Sequence, residues 1–209
     1  MANLLVPVIE KYLSAVLPAR DPVLADMEAY ARKHDVPIIG PECGRLLYLL
    51  TQISGAKRIF EMGSAIGYSA IWFARAAGPD AEIYFTDGDS QNAVLAGENF
   101  KKAGLTDQIR ILTGDALDLL DSIAGDFDII LIDVNKHQYP DALRKSIPRL
   151  KHGGLLITDN VLWSGKVTKT PKDEATRGIV EFNKMVYDSE VLFPVIVPLR
   201  DGVAVCRKT

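Results

Sequence analysis

From Lys57 onward the chain alternates between two kinds of segment, and that alternation limits the fold more than any other feature. "KRIFEM" (57–62), "AEIYFTD" (81–87), "QIRILTGD" (108–115), "FDIILID" (127–133) and "LLIT" (155–158) are short apolar runs. Between them lie "AIGYSAIWFARAAG", "SQNAVLAGENFKKAG", "ALDLLDSIAG" and "YPDALRKSIPRLKHGG", where apolar residues recur at helical spacing. Strands joined through helices pair in parallel, and the helices then cover both faces of the sheet. Right-handed crossovers make such a sheet doubly wound. The tail breaks the pattern. A helix around "ATRGIVEFNKMVYDS" is followed by "VLFPVIVPL" and "GVAVCRK", which only Asp201-Gly202 and its neighbours separate. A tight turn between apolar runs is a hairpin, so the sheet is expected to end antiparallel. The last crossover helix is expected to run largely to Gly154, with its strand starting at Leu155.

The first third reads differently. "NLLVPVIEKYLSAVL" (3–17) is an amphipathic helix that stops near Pro18, Asp21-Pro22 caps and opens a second helix, and "PECGRLLYLLTQIS" forms a third that closes at Gly55. The 209 residues suit one domain, with helices over 1–55 and the α/β core over 56–209. Lys and Arg number 24 against 27 Asp and Glu, so no concentrated basic face is available for a nucleic acid. Glu10 and Lys11 interrupt the first apolar segment, no cleavage site follows, and no apolar run reaches the ~18 residues of a membrane span. The expected location is the cytoplasm, with no membrane partner. Cys43 and Cys206 are too few for a disulfide framework and read as buried free thiols.

In an open α/β sheet, ligands bind beyond the carboxyl ends of the strands. Here the first strand delivers "FEMGSAIGYS", the second Asp87, the third Gly114-Asp115, the fourth Asp133 and the fifth Asp159-Asn160. A core does not require polar residues at every strand end; a shared binding site does. Gly63 and Gly67 would let the backbone approach a ligand, but their spacing is not the dinucleotide fingerprint, and Glu61 would repel a pyrophosphate. A ligand with an ammonium, a ribose and no phosphate fits better, which describes S-adenosylmethionine. Asp87 is placed to accept hydrogen bonds from ribose hydroxyls.

Several of these stretches, "FEMGSAIGYSA", "GDAL", "FDIILIDVNKHQY", "LKHGGLLITDNVLWSGKV", "EFN" and "VPLRDGVAV", occur in an order and spacing that resembles the metal-dependent O-methyltransferases of the catechol and caffeoyl-CoA type. The resemblance runs from about Lys57 to the C-terminus and continues more loosely through "PECGRLLYLL". It implies a seven-stranded sheet of order 3-2-1-4-5-7-6 with the last strand antiparallel. It implies a divalent cation, Mg²⁺ first with Mn²⁺ or Ca²⁺ as alternatives, held by Asp133, Asp159 and Asn160, with Lys136 as the catalytic base. It puts Glu61, Gly63, Tyr68 and Ser69 near the methionine part of S-adenosylmethionine, Asp87 at the ribose, and Asp115, Ala116 and Val134 near the adenine, and it counts Asp133 among the cofactor-binding residues as well. The acceptor it implies is a small vicinal diphenol, and the assembly a homodimer. Hard oxygen donors suit such a cation and leave positions for two acceptor oxygens.

Trp163 and Tyr139 are placed to wall the substrate mouth or to pack in the core. The segment "WSGKVTKTPKDEATR" reads as a mobile flap. His137 has no second histidine nearby, and His34 and His152 have no expected role. Ile66 and Asn135 depart from the family's usual Thr and Asp. Gly178 is out of place in mid-helix. Three rivals remain: an NAD-dependent dehydrogenase, which lacks its glycine fingerprint here; a methyltransferase for nucleic acid or amide nitrogen, whose turn after the fourth strand is replaced by "DVNKHQY"; and a non-catalytic S-adenosylmethionine-binding protein.

Overall fold

The computed structural model describes residues 7–209, so the part of the first helix expected over residues 3–6 lies outside the described residues. The strands are β1 (Arg58–Met62), β2 (Glu82–Asp87), β3 (Ile109–Thr113), β4 (Phe127–Ile132), β5 (Leu150–Thr158), β6 (Leu192–Val197) and β7 (Val203–Lys208). They form one sheet in the order β3-β2-β1-β4-β5-β7-β6. The first five pair in parallel, and β7 runs antiparallel to both β5 and β6. This is the expected topology, including the terminal hairpin.

Burial on both faces explains why the central strands read as unbroken apolar runs. In β4, Ile129 and Leu131 pack into one core with Ile59, Ile83, Phe85 and Ile157, while Ile130 and Ile132 pack into the other with Phe60, Met62 and Leu156. Helices α1 (Pro7–Ala15), α2 (Pro22–His34), α3 (Gly40–Ser54), α4 (Tyr68–Ala77) and α5 (Ser90–Ala103) precede β3. Residues of α2 to α5 build the first core. Helices α6 (Ala116–Ser122), α7 (Tyr139–Arg149) and α8 (Glu174–Tyr187) build the second.

Asp21 caps α2 as expected, accepting from the Val23 and Leu24 amides, and it also pairs with Arg75 on α4. Arg20 grips the buried Glu28 with both arms, and Glu28 accepts the Tyr68 hydroxyl at 2.8 Å. The N-terminal helices are thereby tied to the start of α4.

One boundary differs from the sequence expectation. Helix α7 stops at Arg149, and β5 begins at Leu150 instead of Leu155. Pro148 cannot donate a helical hydrogen bond. Leu150 pairs with Phe127, and a register irregularity absorbs the intervening residues before Leu155 meets Ile129.

The rim of the sheet at the strands' N-terminal ends is closed by charge. Arg58 stacks over Tyr84 and Phe127, at 5.2 and 4.6 Å, and donates to the carbonyls of Ala124 and Asp126. Asp128 accepts the Lys57 and Arg58 amides and the Lys151 ammonium. Cys43 and Cys206 are buried free thiols. Among the described residues no helix is long and apolar enough to cross a membrane.

Candidate active site

The opposite rim, at the strands' C-terminal ends, holds an open cleft of about 630 Å³. Its acidic end follows from strand register. Ile132 of β4 pairs with Thr158 of β5, so the next residues, Asp133 and Asp159, stand side by side on strands about 4.8 Å apart. The ladder extends one step further: the Asp133 amide donates to the Met62 carbonyl at 2.8 Å and the Asp159 amide to the Ile132 carbonyl at 3.2 Å. Asn160 follows in a left-handed conformation (φ 59°), which asparagine tolerates better than most residues, and it too lines the cleft.

The carboxyl of Asp159 is buried, and its Oδ1 has no hydrogen-bond partner. Burial, then the neighbouring charge of Asp133, push its pKa up to about 7. Burial raises that of Asp133 as well, against the pull of Lys136. Lys136 opens a short 3-10 turn (Lys136–Gln138), and its Nζ donates to Asp133 Oδ1 at 2.6 Å. The same ammonium lies 5.1 Å from the centre of the Tyr139 ring and 6.0 Å from that of Trp163.

These donors fit a hard cation. Two carboxyls stand on adjacent strand ends, one carries an orphaned buried oxygen, and Lys136 engages only a single oxygen of the other. Among the described residues no three His, Cys, Asp or Glu side chains are gathered at ligating spacing. The protein's share of such a site is therefore two carboxylates and the Asn160 amide, which leaves other positions open to non-protein oxygens.

The other end of the cleft is lined by Gly63, Tyr68, Ser69, Asp87, Asp115, Ala116 and Val134. Asp87 is oriented by three donors: the Ala65 amide at 2.9 Å, the Asp89 amide at 2.8 Å and the Asn92 side chain at 3.2 Å. Asp115 caps α6 through the Leu117 amide. Glu61 stands apart from the other expected residues. It is fully buried at the end of β1, behind the cleft wall, and neither oxygen makes a hydrogen bond. Burial raises its pKa to about 7, which the nearby Ser69 and Ser64 hydroxyls only partly oppose. At Gly67 the close approach serves the core, since the Phe100 ring occupies the space a side chain would need.

Two aromatic expectations separate. Trp163 lines the cleft, whereas Tyr139 is a core residue with no exposed surface. The Tyr139 ring meets Phe182 edge-on, and its hydroxyl donates to the Asp159 carbonyl at 2.9 Å, so it braces the acidic end from beneath. The segment expected to be a flap is pinned where it begins, in a 3-10 stretch (Trp163–Thr168), by the Ser164 amide donating to Asp201. His137 lies outside the cleft lining, and Ile66 is a core residue. Gly178 has a clear role, because α8 packs so tightly on the Lys136 turn that a side chain there would collide with the Lys136 carbonyl and His137 Cα.

Sequence reasoning missed the opposite wall. Pro37, Ile38 and Ile39, between α2 and α3, and Arg200 and Asp201, at the tip of the β6–β7 hairpin, all line the cleft. "RDG" at a hairpin tip on the ligand side of the sheet was an available signal; nothing in residues 37–39 was.

The O-methyltransferase family profile matches residues 16–209. A catechol O-methyltransferase of Niastella koreensis is 34% identical, over 98% of this chain and 98% of its own. Caffeoyl-CoA O-methyltransferase 1 of Eucalyptus globulus is 29% identical, over 93% and 85%. Among solved structures, an O-methyltransferase from Bacillus cereus in complex with SAH superposes with a TM-score of 0.88 at 28% identity, over 97% of each chain.

Proposed function

Since the chain belongs to the O-methyltransferase family, we propose that it transfers a methyl group from S-adenosylmethionine to one hydroxyl of a vicinal diphenol, with a divalent cation at Asp133, Asp159 and Asn160. The observation that carries this reading is the orphaned, buried Asp159 oxygen beside Asp133, with Lys136 in contact.

Asp87, held by its three donors, is oriented to accept both ribose hydroxyls. Gly63, Tyr68 and Ser69 would receive the methionine part at the cleft wall, with the buried Glu61 behind them favouring its ammonium through the field of its carboxylate. S-adenosylmethionine supplies an electrophilic methyl group. The cation, Mg²⁺ being the hard-donor choice, supplies Lewis acidity and charge neutralisation at the acceptor oxygens. Lys136 acts as the neutral amine, its own proton having first passed to solvent, and then takes the phenolic proton, while the Tyr139 and Trp163 rings flank that nitrogen. Trp163 and the Pro37–Ile39 segment hold the acceptor ring and exclude water. Alignment of nucleophile and methyl is the main contribution; well-oriented reactions of this kind gain up to ~7–11 kcal/mol. The exposed apolar residues of α1, Val8, Ile9 and Tyr12, and Val16 just beyond it, support a homodimer as the assembly.

The test is a methylation screen over vicinal diphenols and their CoA esters, with and without EDTA. Turnover that EDTA abolishes and Mg²⁺ restores is expected. Methylation that survives EDTA, or an acceptor with a single hydroxyl, would refute the cation site.

A further inference from the structure

We propose that Arg200 is a specificity residue that receives a carboxylate on the acceptor, an assignment that rests on the diphenol reading above. Four observations point there. First, Arg200 occupies the tip of the β6–β7 hairpin in a left-handed conformation (φ 51°), which glycine or asparagine would adopt at lower cost. A long cationic side chain in that position implies that the side chain is used.

Second, the guanidinium is positioned by a contact that spans most of the chain. Its Nη1 donates to the Ile38 carbonyl at 3.0 Å, and it lies against Gly40, where any side chain would collide with it. The fork is therefore seated against the backbone of residues 38–40.

Third, it is a cation in want of an anion. Arg200 is one of several arginines that form no ion pair among the described residues, and of these it alone lines the cleft. The single carbonyl uses one of its five N–H donors. Asp133 engages Lys136 and Asp201 takes the Ser164 amide through one oxygen, and neither Asp159 nor Asp201 forms an ion pair with the fork. A planar fork is the natural receptor for a carboxylate.

Fourth, Arg200 stands where an acceptor would extend. A second cavity of about 880 Å³ lies behind the wall formed by Pro37, Ile38, Arg200 and Asp201, which line both spaces. Its apolar lining includes Leu13, Leu17, Val36 and Leu199. Arg200 lines the same cleft as Asp133 and Asp159, whose end is assigned to the acceptor oxygens. A diphenol anchored there and carrying a carboxylate on a short spacer would place its anion at this fork.

The test compares acids with their neutral isosteres. Wild type and Arg200→Gln are assayed with S-adenosylmethionine and Mg²⁺ on 3,4-dihydroxybenzoate and 3-(3,4-dihydroxyphenyl)propionate, each against its primary amide. Wild type should prefer at least one acid in kcat/KM. In Arg200→Gln the acid-to-amide ratio should fall by about ten- to a hundredfold, as expected for losing hydrogen bonds to a charged group. Arg200→Lys, which keeps the charge without the fork, should restore part of it, and it carries the comparison if the Gln variant fails to fold by circular dichroism. No wild-type preference for either acid, or a ratio the substitution leaves unchanged, overturns the proposal. So does a variant whose ratio holds while its affinity for S-adenosylhomocysteine drops, because Arg200 would then serve the methionine carboxylate of the cofactor. If wild type methylates none of the probes, the diphenol reading fails separately. Calorimetric binding of the same acids and amides then decides on Arg200: acid-selective binding that Arg200→Gln removes sustains it, and the lack of such binding overturns it.

Discussion

Replacing Gly178 with alanine should cripple turnover while leaving the fold standing. A Cβ at residue 178 would lie 2.8 Å from His137 Cα and closer still to the Lys136 carbonyl oxygen. Carbon atoms in contact sit about 3.5–4.0 Å apart, so α8 and the Lys136 turn must separate by about 1 Å. Lys136 Nζ would then leave its 2.6 Å contact with Asp133 and its seat between the Tyr139 and Trp163 rings. A misplacement of about 1 Å at a reacting group can cost on the order of 100-fold in rate. Overpacking costs about 1–3 kcal/mol, and alanine returns ~1 kcal/mol in helix propensity. The net loss of about 0–2 kcal/mol should lower the melting temperature by at most about 8 °C, at roughly 2–4 °C per kcal/mol for a chain of this size. The assay is kcat at saturating acceptor, with thermal melting and S-adenosylhomocysteine affinity as companions. Gly97→Ala in α5 is the control, since its Cβ would meet only the flexible Ile111 Cδ1 at 3.3 Å, far from the chemistry. A Gly178→Ala enzyme that melts near wild type and keeps its kcat would refute the claim that this helix contact positions Lys136.

Lys136→Ala should lower kcat by about 100- to 10,000-fold, the usual range for a general base, while Mn²⁺ affinity by calorimetry is kept or improved, since the ammonium no longer competes for Asp133. Near-normal rates across pH would remove Lys136 from the base role. Asp159→Ala should abolish activity and Mg²⁺ dependence together, and it should stabilise the metal-free protein above neutral pH by deleting a buried carboxylate that carries an unpartnered oxygen. Glu61 gives a pH signature of its own. Its folded pKa of about 7 exceeds the ordinary 4.5, so the folded chain keeps a proton that the unfolded chain has released. Ligand-free protein should therefore lose stability as pH rises from about 4.5 through about 7, by on the order of 3 kcal/mol from this group. Glu61→Gln should flatten that slope in melts from pH 5 to pH 8 (about the span of the effect), and parallel curves for the two proteins would contradict it.

The fold was legible because its signals are redundant. Strands covered on both faces show as apolar runs, and Asp21, Gly55 and Gly104 punctuate the helices between them. The α7–β5 boundary was not, because "LKHGG" carries neither period and its extension depends on pairing with Phe127. Polar residues at the ends of buried strands could be read directly, and that is how Asp133 and Asp159 stood out. Tyr139 could not be told from a cleft residue, since its neighbour Lys136 points into the cleft while its own ring turns into the core. The place of Arg200 at a hairpin tip was readable, but its partner, Ile38, 162 positions away, was not. Gly178 showed as an anomaly in the helix pattern, but only the packed structure says what it makes room for.

The two edges of the sheet age differently. At the Arg58 edge each charge already has a mate within the chain, so a substitution there strands its partner and must be matched by another. At the Asp159 edge the chain leaves oxygen atoms unspoken for, and the loops around them answer to whatever molecule arrives. Descendants of this protein can therefore change what they modify by altering residues 37–39, 163 and 200, while the opposite border keeps the scaffold in register.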